Sequence, residues 1–448
     1  MNRSLRPWGK LWLACWILPA ASQAQLAYIT NNGAITITGY NGPVGALVIP
    51  SLITGRSVVS IRDSAFFGNT TVTSVNIPDS VTNLGNGIFF GCTAMTNAVV
   101  GSGVVSMGNN VFYGCSALTT FSLGGNTTYI GDFMFSYCAN LSRVTLPETI
   151  LSIGNSSFYR CSSLTNAPIG TNLVSLSSGS FAYDAALTNI HFPNTLTSIG
   201  DSAFWGCTGL TSLVLPDSLI TLGGDAFISC TSLTNIVLGT NLTSIGTYAF
   251  WTCPYFTSIV IPDSVTNMGD YAFYGCTNLA NVHLSTNLTS IPNWAFTYCN
   301  IPSIVIPACV TNIGDYALGG WYFVVSSVYF AGNAPTQGAG VLQGDSSGST
   351  VYYLPGTTGW SSSFATYPAV LWNPQAQTTD GSFGVRTNRF GFNITGNNGL
   401  MVVVEACTNL SHPNWIPVST NVLIGGTSYF SDPAWAGFPT RFYGFTFP

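Results

Sequence analysis

Three histidines, twelve cysteines and fifteen acidic residues are the groups from which this 448-residue chain could assemble reactive chemistry. His191 and His283 share a repeat position but stand four repeats apart, about 19 Å at the spacing of neighbouring strands. That distance is too great for a shared metal or a general base, and His412 lies far from both along the chain. No Ser-His-Asp set, phosphate-cradling loop or close acidic pair emerges. Asp79, Asp217 and Asp263 each follow a proline, where Asx turns favour aspartate. The expectation is a protein that is not an enzyme, with no cofactor and no metal.

The cysteines form a column. Cys92, Cys115, Cys138, Cys161, Cys207, Cys230, Cys253, Cys276 and Cys299 each fall three residues after a phenylalanine, and Asn69 and Asp184 take the same place. Zinc sites bring cysteines in pairs two to four residues apart, and none occur here. Neighbours in a stack about 5 Å apart lie within the range of a disulfide, but their side chains run parallel rather than toward each other. The column reads as small buried side chains, with occasional bridges left open. Cys309 and Cys407 fall outside it.

Two further columns are candidates for binding. Phe90, Tyr113, Tyr159, Trp205, Trp251 and Tyr274 follow the phenylalanine directly, as does Phe67. Regularly spaced rings can offer stacking platforms to sugars, or can cover turns and pack on one another. The second column holds Val214, Val237, Val260, His283 and Val305, the residues between two core aliphatics. It is expected to form an apolar strip, or plain solvated strand surface, on the outward face of a sheet.

What must position these columns is a repeat. Phenylalanine recurs every 23 residues at Phe66, Phe89, Phe112, Phe135, Phe158, Phe181, Phe204, Phe227, Phe250, Phe273 and Phe296. A fixed period of this length marks a solenoid, in which each coil stacks on its neighbours. Within a unit, Leu210, Leu213 and Leu215 face a core while Val214 faces outward, as strand alternation requires. Pro216 ends the strand, Leu219 to Leu222 forms a second extended piece, and Gly223 follows. Glycine recurs there at Gly85, Gly108, Gly131, Gly154, Gly200, Gly246, Gly269 and Gly314, where positive φ is expected. The Ala-Phe-x-x-Cys piece is too short for a regular helix and reads as a turn or one 3₁₀ turn.

The unit Phe256-Thr-Ser-Ile259-Val-Ile261-Pro262-Asp-Ser-Val265-Thr-Asn-Met268-Gly269-Asp-Tyr-Ala272-Phe273-Tyr-Gly-Cys276 resembles the 23-residue BspA-like class of bacterial surface leucine-rich repeats. The resemblance covers about residues 45–320. It implies a strand-dominated solenoid of the α/β class, built from parallel strands, with no active site of its own. It also implies adhesion or recognition at the cell exterior. A three-sheet parallel β-helix is the competing architecture.

Only 6% of residues are charged, against roughly a quarter in an ordinary soluble domain. Residues 1–24 read as a secretory signal: Arg3, Arg6 and Lys10 precede a short apolar run, with small residues before Gln25. Without that segment seven positive residues face fifteen negative ones, a net charge of −8. Nucleic acid and a polybasic membrane contact are thereby disfavoured as partners. No later apolar run is long enough to cross a bilayer.

Residues 25–60 read as a hairpin cap, 61–320 as the leucine-rich-repeat solenoid and 321–372 as its closing cap. A linker at 373–381 then leads to a small β-sandwich at 382–448. The expected function is a secreted or cell-surface, non-catalytic scaffold for binding or adhesion to extracellular proteins. The alternatives are a carbohydrate-binding module that uses the aromatic column on a glycan, and a passive envelope protein.

Overall fold

The computed structural model describes residues 25–42, 44–320, 325–344 and 348–448. The expected signal segment, 1–24, lies outside the described residues, as do 321–324 of the expected cap. The chain divides into two compact units after Ile150.

The first unit opens with an antiparallel hairpin, Leu26–Asn31 and Ala34–Tyr40. Asn32 and Gly33 turn it, both at positive φ, as a two-residue hairpin loop requires. Coils follow. Val72–Ile77, Asn97–Val100, Thr120–Leu123 and Arg143–Thr145 pair in parallel, each in register with the residue 23 further on. A second ladder joins Ser60–Ile61 to Asn83–Leu84 and on to Ser106–Met107. Alternate strand residues turn inward, so Val75 and Ile77, Ala98 and Val100, and Phe121 and Leu123 are buried.

The turn after each second strand is also bonded sideways. In the first coil the N–H groups of Ser64, Phe66 and Gly68 donate to the carbonyls of Asn86, Ile88 and Phe90 in the next, at 2.7–2.9 Å. A coil therefore has three laterally bonded sides around one apolar interior. Phe66, Phe89, Phe112 and Phe135 fill that interior as a stack, with ring centroids 4.9–5.7 Å apart.

The second unit repeats this plan. Ser152–Ile153, Ser175–Leu176, Ser198–Ile199, Thr221–Leu222, Ser244–Ile245 and Asn267–Met268 form one continuous parallel ladder. Phe158, Phe181, Phe204, Phe227, Phe250, Phe273 and Phe296 stack at 5.0–5.6 Å with planes within 8° of parallel. All are buried, and each contributes about 1.5–3 kcal/mol through apolar surface removed from water.

The outward-facing strands continue past the last phenylalanine. Ser303–Ile306 pairs with Ser327–Phe330, then Thr350–Tyr353, then Tyr367–Leu371. Among the described residues helix contributes little more than a 3₁₀ turn at Trp435–Gly437.

The carboxy-terminal strands are antiparallel. Arg389–Thr395 lies between Thr427–Asp432 on one side and Gln375–Gln377 with Gly384–Arg386 on the other. Met401–Cys407 lies between Ile416–Val422 and Phe442–Thr446. The stretch read as a linker thus supplies a strand, Gln375–Gln377. The core of Phe392, Ile394, Leu400, Val402, Val404, Leu423 and Phe430 is continuous with Tyr329, Tyr352 and Trp372.

Two local readings are corrected. The glycine column is not at positive φ. The left-handed residue comes two positions later, at Asn110 (φ 59°), Ser202 (φ 56°) and Asp225 (φ 56°). What excludes side chains from the glycine column is close approach. A Cβ on Gly223 would lie 2.6 Å from the Asp201 nitrogen and the Gly200 carbonyl carbon, and one on Gly108 would lie 2.7 Å from the matching atoms of the coil before it.

The aspartates after proline tie coils together rather than closing turns on themselves. Asp79 accepts from the Ser102 N–H, Asp217 from Thr240 and Asp263 from Thr286, each 23 residues on, at 2.6–2.8 Å. Among the described residues no cysteine is in a disulfide, and the column is buried. The Cys230 thiol donates to the Phe204 carbonyl at 3.3 Å, and the same bond recurs at Cys92, Cys115, Cys138, Cys207, Cys253, Cys276 and Cys299. Burial pushes the thiols of Cys138, Cys230 and Cys253 up, which leaves them unreactive.

Asp184 breaks this pattern. It is fully buried in the thiol column; Oδ1 accepts from the Cys161 N–H at 2.7 Å, and Oδ2 has no hydrogen-bond partner. Burial holds its carboxyl well above the usual range, against the smaller pull of that N–H. The folded chain keeps the proton at pH values where the unfolded chain has lost it, so the stability this group contributes is lost as pH rises above about 4. Asp184→Cys should raise stability by about 1–3 kcal/mol at neutral pH. The gain should be larger at pH 8 than at pH 4.5 in urea titrations, and a pH-independent gain would contradict the assignment. Gly223→Ala should lower stability by about 1–3 kcal/mol through overpacking, read as an earlier urea midpoint. An unchanged midpoint would show that the coils have slack at that point.

Candidate functional site

The outward strand column begins from a sequence rule. In Ser-Ile-Val-Ile the second and fourth residues enter the core, and the third has nowhere to go but outward. Val214, Val237 and Val260 are 55%, 47% and 63% exposed, and His283 is exposed. The register sets Val214 beside Val237 and Val260 beside His283. Paired parallel strands hold such side chains about 4.8 Å apart, and the strands Asn235–Val237 and Ser258–Val260 of the two pairs are neighbours, so these residues follow one another along one face.

The strip does not reach as far as the sequence suggested. Val305 is half-buried because its register partners Tyr329 and Tyr352 lie under the carboxy-terminal domain. Phe447 packs on Tyr329 at 5.1 Å and on Trp372 at 4.8 Å. Where the covered stretch meets the open one, a groove of about 630 Å³ remains, with Val260, His283, Val305, Cys309 and Pro448 among its walls. Thr286 also lines it, and the Thr286 N–H and hydroxyl both bond the Asp263 carboxylate, at 2.8 and 2.7 Å. Those bonds hold the Asp263 carboxyl below its usual range, and Thr240 does the same for Asp217. Both carboxylates are therefore charged at neutral pH.

The aromatic column lies on the turn side, and its rings are engaged with one another. In the first unit Phe67 stacks on Phe90 at 5.0 Å and Phe90 on Tyr113 at 4.5 Å. In the second, Tyr159 meets Tyr183 edge-on at 5.6 Å, and Trp205 leans over Tyr183 at 5.2 Å. Trp251 stacks on Tyr274 at 6.1 Å, and Tyr274 meets Tyr298 at 5.2 Å. A sugar stacks on an open ring face, and parallel rings this close leave no room between them. Trp205, 38% exposed, is the most open ring of the set in the second unit. Arg160 sits over the rings of Tyr159 and Tyr183 on this side.

A second ring ladder went unread in the sequence. Tyr248, Tyr271, Trp294 and Tyr316 stack at 4.7, 5.8 and 4.4 Å. Each sits at positive φ (57°, 59°, 59° and 54°), where other coils place Ser, Gly, Asn, Asp or, at Phe133, another ring. Counting two residues back from each phenylalanine would have found the first three. Tyr316 follows the shortened last coil, where Leu318 replaces phenylalanine.

Among the described residues no group of three or more His, Cys, Asp or Glu could hold a metal ion. No described helix is long and apolar enough to cross a membrane.

Comparison with known proteins agrees with the geometry. A family model for the BspA type leucine rich repeat region, in six copies, matches residues 47–165, 89–211 and 197–324, more than half of the chain. No curated protein matches. A leucine-rich repeat protein from Bacteroides ovatus is 26% identical, with a TM-score of 0.55, over 74% of this chain and 94% of that one. A leucine rich cell surface protein from Faecalibacterium prausnitzii is 26% identical, with a TM-score of 0.38, over 64% of this chain and 92% of that one. The pneumococcal vaccine antigen PcpA is 16% identical, with a TM-score of 0.41, over 68% of this chain and 92% of that one. The 23-residue register, the laterally bonded coils and the matched span coincide, and the chain belongs to the BspA-type leucine-rich-repeat family.

Proposed function

We propose that this chain is an exported, non-catalytic scaffold that docks another protein on the outward strand face of its second unit. The observation that carries the reading is the exposed strip of Val214, Val237 and Val260 running into a groove beside His283. Branched apolar side chains held in a row by a rigid ladder lose little conformational freedom on binding, which favours association over a loose surface. Contiguous apolar surface of this kind is a mark of protein contact sites. The turn-side rings support a glycan reading less well, because most of their faces are taken up by their neighbours. Export rests on the leader-like residues 1–24 and agrees with the low charge and the family's repeat type.

The test uses the full chain immobilised and two double variants, Val237→Lys with Val260→Lys, and Trp205→Ala with Trp251→Ala. Each is assayed for capture of extracellular proteins and on a glycan array. The lysine variant should lose protein capture by about tenfold or more, the scale of a disrupted hot spot, while the tryptophan variant keeps it. Glycan binding that disappears in the tryptophan variant, with no effect of the lysines, would overturn the strand-face reading in favour of the aromatic column.

A further inference from the structure

We infer that the groove beside Val260 receives a segment of a partner protein that presents large apolar side chains flanked by lysine or arginine. This deepens the strand-face reading and rests on it. Two independent features point to that chemistry.

The first is continuity with a contact the chain already makes. Val305, Tyr329 and Tyr352 belong to the outward column by register. Phe447 and Trp372 lie on that stretch, with Phe445 packed beside the same core. The distal end of the face is thus matched to aromatic and aliphatic side chains, and the open groove adjoins that contact, with Val305 common to both and Pro448, next to Phe447 in the chain, in the groove wall. A volume of about 630 Å³ has room for several large side chains.

The second is charge. Between residues 151 and 372 the sequence holds eight aspartates and a single basic residue of the Lys or Arg type, Arg160. Arg160 is engaged with the rings of Tyr159 and Tyr183 on the turn side. Asp217 and Asp263 stand three residues beyond Val214 and Val260 in their coils, fully exposed, and each is held in its charged form by a threonine of the next coil. Asp263 is bonded to Thr286 of the groove wall, with His283 as its ionisable neighbour, and Asp217 stands two coils further along the strip. Exposed carboxylates beside an apolar floor select against acidic partners and draw in basic ones.

The probes are three fluorescein-labelled octapeptides of alternating residues, Leu-Lys, Leu-Glu and Leu-Ser, titrated against the full chain by anisotropy. The Leu-Lys peptide should bind about tenfold or more tightly than either other peptide at low salt, and weaken as salt rises. Asp217→Asn with Asp263→Asn should remove most of that preference. Asparagine keeps the accepting Oδ1, as Asn86 does for the Asn109 N–H and Asn109 for the Asp132 N–H in coil-to-coil bonds of the same kind, so the fold is retained. Asp201→Asn with Asp225→Asn changes net charge equally at another part of the coil and should leave binding unchanged. Val237→Ser with Val260→Ser should abolish binding of all three peptides.

Equal binding of Leu-Glu, or an equal effect of the two aspartate pairs, would overturn the inference. If no peptide binds while the lysine variant of the previous section still loses protein capture, the partner's chemistry is wrong and the strand-face reading stands. Failure of both would remove the face itself.

Discussion

Each coil of this protein is incomplete by itself. Its strands are two to six residues long, and their N–H and C=O groups point along the stacking direction, where only another coil can meet them. Satisfying those groups sets residues of one coil beside those about one repeat away, as Val99 sits beside Ser122 and Ser198 beside Thr221. Identical positions then stack, and any residue chosen once becomes a column. The phenylalanine rings, thiols and outward valines are consequences of that single lateral requirement.

Stacking imposes different demands on different columns. Where backbones come closest, as at Gly108 and Gly223, the absence of a side chain matters more than any backbone freedom. Where a turn leaves a donor facing the next coil, a carboxylate or amide from the coil before accepts it, as Asp63 does for Asn86 and Asn86 for Asn109. The thiol column is small, apolar and able to donate one weak bond to a carbonyl, so it fills space without leaving a strong polar group unpaired. Asp184 cannot do this, because a carboxyl in the same space carries a second oxygen with nothing to meet.

The same geometry separates surfaces that are used up from surfaces that are free. Turn-side rings are drawn into contact because their neighbours carry rings at the same height, so much of their area is spent on one another. Strand-side valines are too short to cover one another and remain open to water. At the distal end the carboxy-terminal domain packs on this face, which shows how an apolar covering fits it. The part beyond that contact keeps its apolar side chains exposed.

The period, the inward aliphatics and the phenylalanine and thiol columns were legible in the primary structure, because a stack with constant spacing maps position in the coil directly onto position in space. The outward direction of Val214, Val237 and Val260 followed from strand alternation for the same reason. Three things were decided only by the folded chain. Whether glycine serves φ or close approach depends on the distance between backbones, which spacing along one chain does not contain. Whether an aromatic column offers faces or hides them depends on ring tilt between coils. Where the apolar strip stops depends on a contact between residues more than a hundred positions apart, Phe447 against Tyr329, and no repeat register encodes such a contact.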